Sequence, residues 1–249
     1  MTTGGTDSRP AMHRVLLVAD AGALVSGLRS IYVQVPSQPR HQKSADLELD
    51  ALIALAISIP WAASDFPLEI WRRERPGFLI RAGGREIGVE HTEAVSQNIA
   101  HELALRAEGH GPDSYVAVRR PSRFNEPTLS RKEILESIHH PRQFPSMGHE
   151  IERCWVQAMV GFAGRKTASA KKDGYQAYAE NWLLIYDRWR PSCGDYDIAL
   201  PQLTHALGEG NTWDTFSAVY IVGKRAVVEV TSSEAVLIHD KAELLGGIQ

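Results

Sequence analysis

The run Ile87-Gly88-Val89-Glu90-His91-Thr92-Glu93 holds the carboxylate best placed for chemistry. Read as a strand, it turns Ile87, Val89 and His91 to one face and Glu86, Gly88, Glu90 and Thr92 to the other, because successive side chains alternate. Burying a charge is costly unless a metal or a partner compensates it. Glu90 is therefore either a group working in a cleft or a solvated residue on a wet strand face.

Two further residues share this ambiguity. Lys166 lies four positions after Phe162 and continues the stripe Ile151, Trp155, Ala158/Met159 and Phe162, whose spacing by threes and fours marks one face of a helix. A lysine at the end of such a stripe either points into a cleft or snorkels to solvent. Glu48 precedes Leu52 by four residues and Leu55 by seven, on the apolar side of a helix predicted over 45–59 and ended by Pro60. It is either a site carboxylate or an acidic side chain favoured in a first helical turn by the helix dipole. Glu74 sits in the charged run Arg72-Arg73-Glu74-Arg75, which reads as a solvated edge just before the strand beside that of Glu90.

The elements that must position these groups follow from the patterns around them. Phe78–Arg81 reads as a strand, 82–85 as a turn and Glu86–Thr92 as its hairpin partner. A helix is predicted over 93–107. Residues 109–148, rich in Pro, Gly, Ser and His, read as an insertion with a short strand at Tyr115–Val118 and a short helix at Arg131–His139. A long helix follows from about Gly148 to Glu180, with Gly161–Gly164 or Gly174 as places where it could break. Trp182–Asp187 reads as a strand buried on both faces, Tyr196–Leu207 as a helix, and Phe216–Val222 with Ala226–Thr231 as a last hairpin. Arg14–Val35 has apolar runs at both ends but no assigned structure, and Ser44 is a candidate N-cap. The order predicts a single mixed α/β domain over 1–249, with residues 1–12 as a polar tail.

Composition narrows the classes. The 249 residues are 43% hydrophobic and 23% charged with a net charge of -3, which excludes a disordered chain and any global attraction to nucleic acid. A basic rim would have to be local, built from Arg119-Arg120, Lys171-Lys172, Arg123, Arg131 and Lys132. No apolar run is long enough to span a bilayer, and the start of the chain lacks a signal-peptide pattern. These features predict a cytoplasmic protein without membrane association. Cys154 and Cys193 fit no metal or redox spacing and read as buried thiols. The ten histidines form no zinc motif, and there is no Gly-x-Ser-x-Gly elbow.

The segments Glu74-Arg75-Pro76-Gly77-Phe78 and Ile87–Glu93, with the Lys166 helix and the Trp182-Leu183-Leu184-Ile185 strand, resemble the PD-(D/E)XK nuclease superfamily. More narrowly, they resemble bacterial members with a Pro-Asp-Phe strand start and a Glu-x-Thr strand end. The resemblance covers roughly 45–231 outside 109–148. It implies a restriction-endonuclease-like mixed sheet flanked by helices, and Mg²⁺- or Mn²⁺-dependent hydrolysis of DNA phosphodiesters. In that chemistry clustered carboxylates hold the metal, the metal activates water, and a lysine stabilises charge on the phosphate. Glu90 stands at the second carboxylate position and Glu48 at the carboxylate of the first helix. Gly77 stands where the aspartate belongs and Thr92 where the lysine belongs, so the resemblance requires Glu74 to replace the first and Lys166 the second. Lys171, Lys172 and Thr92 would meet the nucleic acid.

Three functions stay open on these residues. One is a metal-dependent nuclease acting with DNA. Another is a catalytically degenerate module of the same fold that binds nucleic acid or protein, with a homo-oligomer or partner protein compatible with either. The third is a metabolic enzyme on an unrelated α/β scaffold. Fold alone does not choose among them.

Overall fold

A computed structural model describes residues 12–32, 44–111, 121–140, 148–172, 174–224 and 226–240. The predicted strand at Tyr115–Val118, the Arg119-Arg120 pair and the Ser44 side chain lie outside what it describes. Eight strands form one sheet in sequential order: β1 His13–Val18, β2 Leu68–Arg72, β3 Phe78–Ala82, β4 Arg85–Ala94, β5 Glu180–Asp187, β6 Ala218–Val222, β7 Ala226–Val230 and β8 Ala235–Asp240. Neighbours are antiparallel except at the centre, where β4–β5 and β5–β6 are parallel. The helices are α1 Ala21–Tyr32, α2 Ser44–Ser58, α3 Gln97–Ala107, α4 Arg131–His139, α5 Glu150–Ala170 and α6 Tyr196–Gly208. The chain is thus α/β with a mixed, open sheet.

Strand alternation creates two cores. Ile87, Val89, Trp182 and Leu184 join α1 and α2 on one face. Ala94, Leu183, Ile185 and the α5 stripe Trp155, Met159 and Phe162 pack with α6 on the other. β5 is buried on both faces, as its continuous apolar run predicts. Parallel β4 and β5 require a crossover, and it contains α3, α4 and α5. Among the described residues no helix is long and apolar enough to cross a membrane.

The hairpin, the helices at Arg131–His139 and Tyr196–Gly208 and the buried strand fall where the pattern puts them, and four differences are instructive. β4 runs on to Ala94 because its ladder with β5 continues to the pair Ala94–Asp187, so α3 starts at Gln97 instead of 93. α5 ends at Ala170, not near Glu180. Beyond it Gly174 adopts φ 88, a left-handed conformation in which a helix does not continue. The unassigned segment after Arg14 is β1 followed by α1. The run before the hairpin ends a strand: β2 pairs with both β1 and β3, and Arg72 is its last residue.

Candidate active site

Glu90 and Thr92 alternate with Val89 and His91, so they face α5 while their neighbours face α2. Gly88, on the same face as Glu90, decides what lies above. A Cβ there would meet Tyr178 Cδ2 at 2.7 Å, Pro76 Cγ at 2.9 Å and Asn181 Oδ1 at 3.0 Å. The missing side chain lets the strap 174–179 close onto the sheet. Asn181 fixes the strap from β5, accepting from the Tyr178 backbone N–H at 3.1 Å and donating to its carbonyl at 2.8 Å. Arg73 holds it from the other side, with its guanidinium 5.5 Å from the Tyr178 ring centre and hydrogen-bonded to Gln176.

Under this strap the Lys166 ammonium donates to Glu90 Oε1 at 2.6 Å. The two side chains are 27% and 15% exposed, so the pair is sheltered without being sealed. A charge-assisted bond in such a setting is stronger than one in open water. Tyr175 completes the group. Its buried hydroxyl has no hydrogen-bond partner. Burial, and then the charge of Glu90, push its pKa up to about 12, so it stays protonated. On the opposite face of β4, burial and then the charge of Lys166 push His91 down to about 4, which keeps its imidazole neutral at pH 7.

The structure brings together Glu90 and Lys166 but not the other predicted carboxylates. Glu48 bonds Arg72 at 2.9 Å, and Arg72 lies over Phe78, which belongs to the α2 core. Glu48 and Glu90 are therefore on opposite faces of the sheet. Glu74 is exposed in the turn closed by the Arg73 N–H to Gly77 carbonyl bond of 2.8 Å. Thr92 is partly buried on the Glu90 face. Lys171, exposed at the end of α5, pairs with Asp214 at 3.5 Å, and Lys172 is exposed beside it. Among the described residues no three His, Cys, Asp or Glu side chains come together to hold a metal ion. Glu90 is thus met by a lysine and is not part of a group of three candidate ligands.

Sequence reasoning missed Tyr175 and Asp187. Tyr175 fell within the overlong helix. Asp187, at the end of β5, is 7% exposed and accepts from Trp155 Nε1 at 2.8 Å and from the Trp189 backbone N–H at 2.9 Å. Burial pushes its pKa up to about 6 against those hydrogen bonds. The only sequence signal was an acidic residue closing an apolar strand. Cys154 and Cys193 are buried and unlinked, and burial pushes the Cys193 thiol up to about 12, which leaves it unreactive. What this face offers chemically is a tethered ammonium with spare donors and a protonated phenol, a setting for an oxyanion. Family models, curated proteins and solved structures were all compared with the chain, and none matches it.

Proposed function

We propose that this protein is a nucleic-acid-binding module on a nuclease-like α/β scaffold, which holds phosphates without cleaving them. One observation carries the reading: the ammonium of Lys166 neutralises Glu90, and among the described residues no group of three His, Cys, Asp or Glu side chains is placed to hold a metal ion. An ammonium has three donors, so Lys166 keeps two for a phosphate oxygen after bonding Glu90. Arg73 and the exposed Lys171 and Lys172 add positive charge around the strap and the end of α5. Backbone phosphates are recognised by such cations with little regard to sequence.

A second reading, metal-dependent hydrolysis of DNA, is favoured by the meeting of Glu90 and Lys166 from β4 and α5, which is where the nuclease resemblance needs a carboxylate and a cation. One experiment separates the two. Labelled duplex and single-stranded DNA are titrated with protein at rising salt, and the same substrates are incubated with Mg²⁺ or Mn²⁺. Binding that weakens steadily with salt, without cleavage, is the expected result. Cleavage by the wild type that disappears in Glu90→Ala would overturn it in favour of the nuclease.

A further inference from the structure

Where Phe162 and Arg165 lead into Lys166 on α5, a cavity of about 240 Å³ opens between the start of α3, the loop 123–126 and α5. Its lining is built for an anion. Ser96 is the N-cap of α3, yet its hydroxyl accepts nothing from the helix and donates instead to Glu126 Oε1 at 2.9 Å. The first-turn amides of α3 therefore lack a side-chain cap, and such N–H groups carry partial positive charge. Arg165 enters from α5 with its guanidinium 4.5 Å from the Phe124 ring centre and 5.5 Å from that of Phe162. Its Nη2 is tied to Asn125 Oδ1 at 2.5 Å. Asn125 reaches that position from φ 60, a left-handed backbone that asparagine tolerates better than most residues. Among the described residues Arg165 has no carboxylate partner, so the stacked guanidinium is held in place with its charge unspent.

Two more features belong to the cavity wall. Trp189 lines the same cavity, is 3% exposed, and its indole N–H has no hydrogen-bond partner. Glu126 already places an oxyanion there, with its second oxygen accepting the Arg123 backbone N–H at 3.3 Å. The Arg123 side chain also lines the cavity, although it reaches Glu150 at 3.3 Å. The Ser96 hydroxyl and the Arg123 backbone N–H thus converge on one carboxylate of the chain itself, and Arg165 stands beside it as the guanidinium that no described carboxylate neutralises.

We propose that this cavity is a binding site for a phosphate monoester, with Arg165 as its principal contact and Glu126 as the internal anion that the phosphate displaces. A guanidinium fork matches phosphate oxygens in geometry as well as charge. The phosphate could belong to the end of a polynucleotide or to a small phosphorylated molecule, and the chemistry of recognition is the same. The inference is independent of the Glu90 site and holds whether or not the chain binds nucleic acid elsewhere.

The test is calorimetric titration of the full chain with inorganic phosphate, followed by competition with a 5′-phosphorylated oligonucleotide, its 5′-hydroxyl counterpart and a nucleoside monophosphate. Saturable phosphate binding is expected, weakened about tenfold in Arg165→Gln, the loss of one charge-assisted hydrogen bond. Glu126→Gln should tighten binding about threefold by removing the competing charge. Competition by the phosphorylated oligonucleotide alone assigns a polynucleotide end, and competition by the mononucleotide as well assigns any phosphate monoester. Both outcomes support the site. Absence of saturable phosphate binding, or equal affinity in folded Arg165→Gln, would overturn it. Should Arg165→Gln fail to fold, unchanged affinity in Glu126→Gln would overturn it equally.

Discussion

The two faces of the sheet are covered by helices of different character. Leu52, Leu55 and Ala56 of α2 pack on Ile80, Val89 and Leu184, and the buried part of that face holds no carboxylate among the described residues. Its charges sit at the rim and are paired there: Glu48 with Arg72, Glu93 with Arg188, and Asp50 with the Tyr186 hydroxyl. Beneath α5, polar groups go inside: Asp187 against Trp155, Glu152 against the Asp195 N–H, and Glu90 against Lys166. One face behaves as a clamp and the other as a place where charge is stored under cover. Stored charge is tolerated only with a reason, and perturbed titrating groups concentrate where proteins act.

The difference can be broken first on the apolar side. Leu55 is fully buried. Leu55→Ala should cost about 2–5 kcal/mol through lost contacts and a residual cavity. Urea unfolding at two pH values should give the same loss at both, because no titrating group is disturbed. A strongly pH-dependent loss would show that this face is not dry.

The second prediction concerns pH and contrasts Asp187 with His91. Asp187 holds its proton up to about 6 against an ordinary 3.8. Its contribution is therefore full below about 4 and is lost as pH rises through about 6, a swing of about 3 kcal/mol. His91, pushed down from 6.5 to about 4, works in the opposite sense. Its contribution is full above 6.5 and is lost as pH falls through about 4, by a similar amount of about 3 kcal/mol. The two slopes offset each other in the wild type. Asp187→Asn should uncover the His91 slope, so that urea midpoints rise by an amount equivalent to about 3 kcal/mol between pH 4 and 6.5. A flat profile in the variant would show that His91 does not titrate as its burial implies.

Smaller effects sharpen the contrast. Lys166→Met leaves a sheltered Glu90 without its cation and should cost about 1–3 kcal/mol, with part recovered in the Lys166→Met, Glu90→Gln double variant. Full additivity in that cycle would mean that the pair contributes no coupling. Glu48→Ala breaks a rim pair whose side chains are 31% and 37% exposed, and thermal unfolding should register less than about 1 kcal/mol. A larger loss would give the rim of α2 the same energetic weight as the groups beneath α5.

How far the sequence carries depends on the range of each signal. Alternation along Glu86–Thr92 and threefold-fourfold spacing up to Lys166 are local patterns, and they give the strand face of Glu90 and the helix face of Lys166 but leave open whether Lys166 points into a cleft or to solvent. The meeting of the two side chains was an inference from resemblance, and the structure joins them at 2.6 Å. Glu48 misled for a physical reason: an apolar helix side shows that a residue faces the sheet, not which face of the sheet receives it. Arg72–Arg75 misled because a run of charge resembles solvent-exposed edge, while Arg72 in fact closes a strand against Glu48. Tyr175 and Gly88 became meaningful only together, since nothing local says that a chain 90 residues downstream will settle over a missing Cβ.

The parallel junction of β4 and β5 also dictates the order in which the molecule can assemble. β3–β4, β6–β7 and β7–β8 are hairpins that close locally, on a microsecond scale for such turns. β5 pairs with β4 only once the long connection 95–179 has closed as a loop. On these sequence separations the two hairpin wings are expected to close first and the central strand to join them last. Loop-closure entropy grows only logarithmically, about 0.6 kcal/mol per doubling. Length added between α3 and α4 should therefore leave equilibrium stability nearly unchanged while slowing the refolding rate, a kinetic signature of a centre supplied from far along the chain.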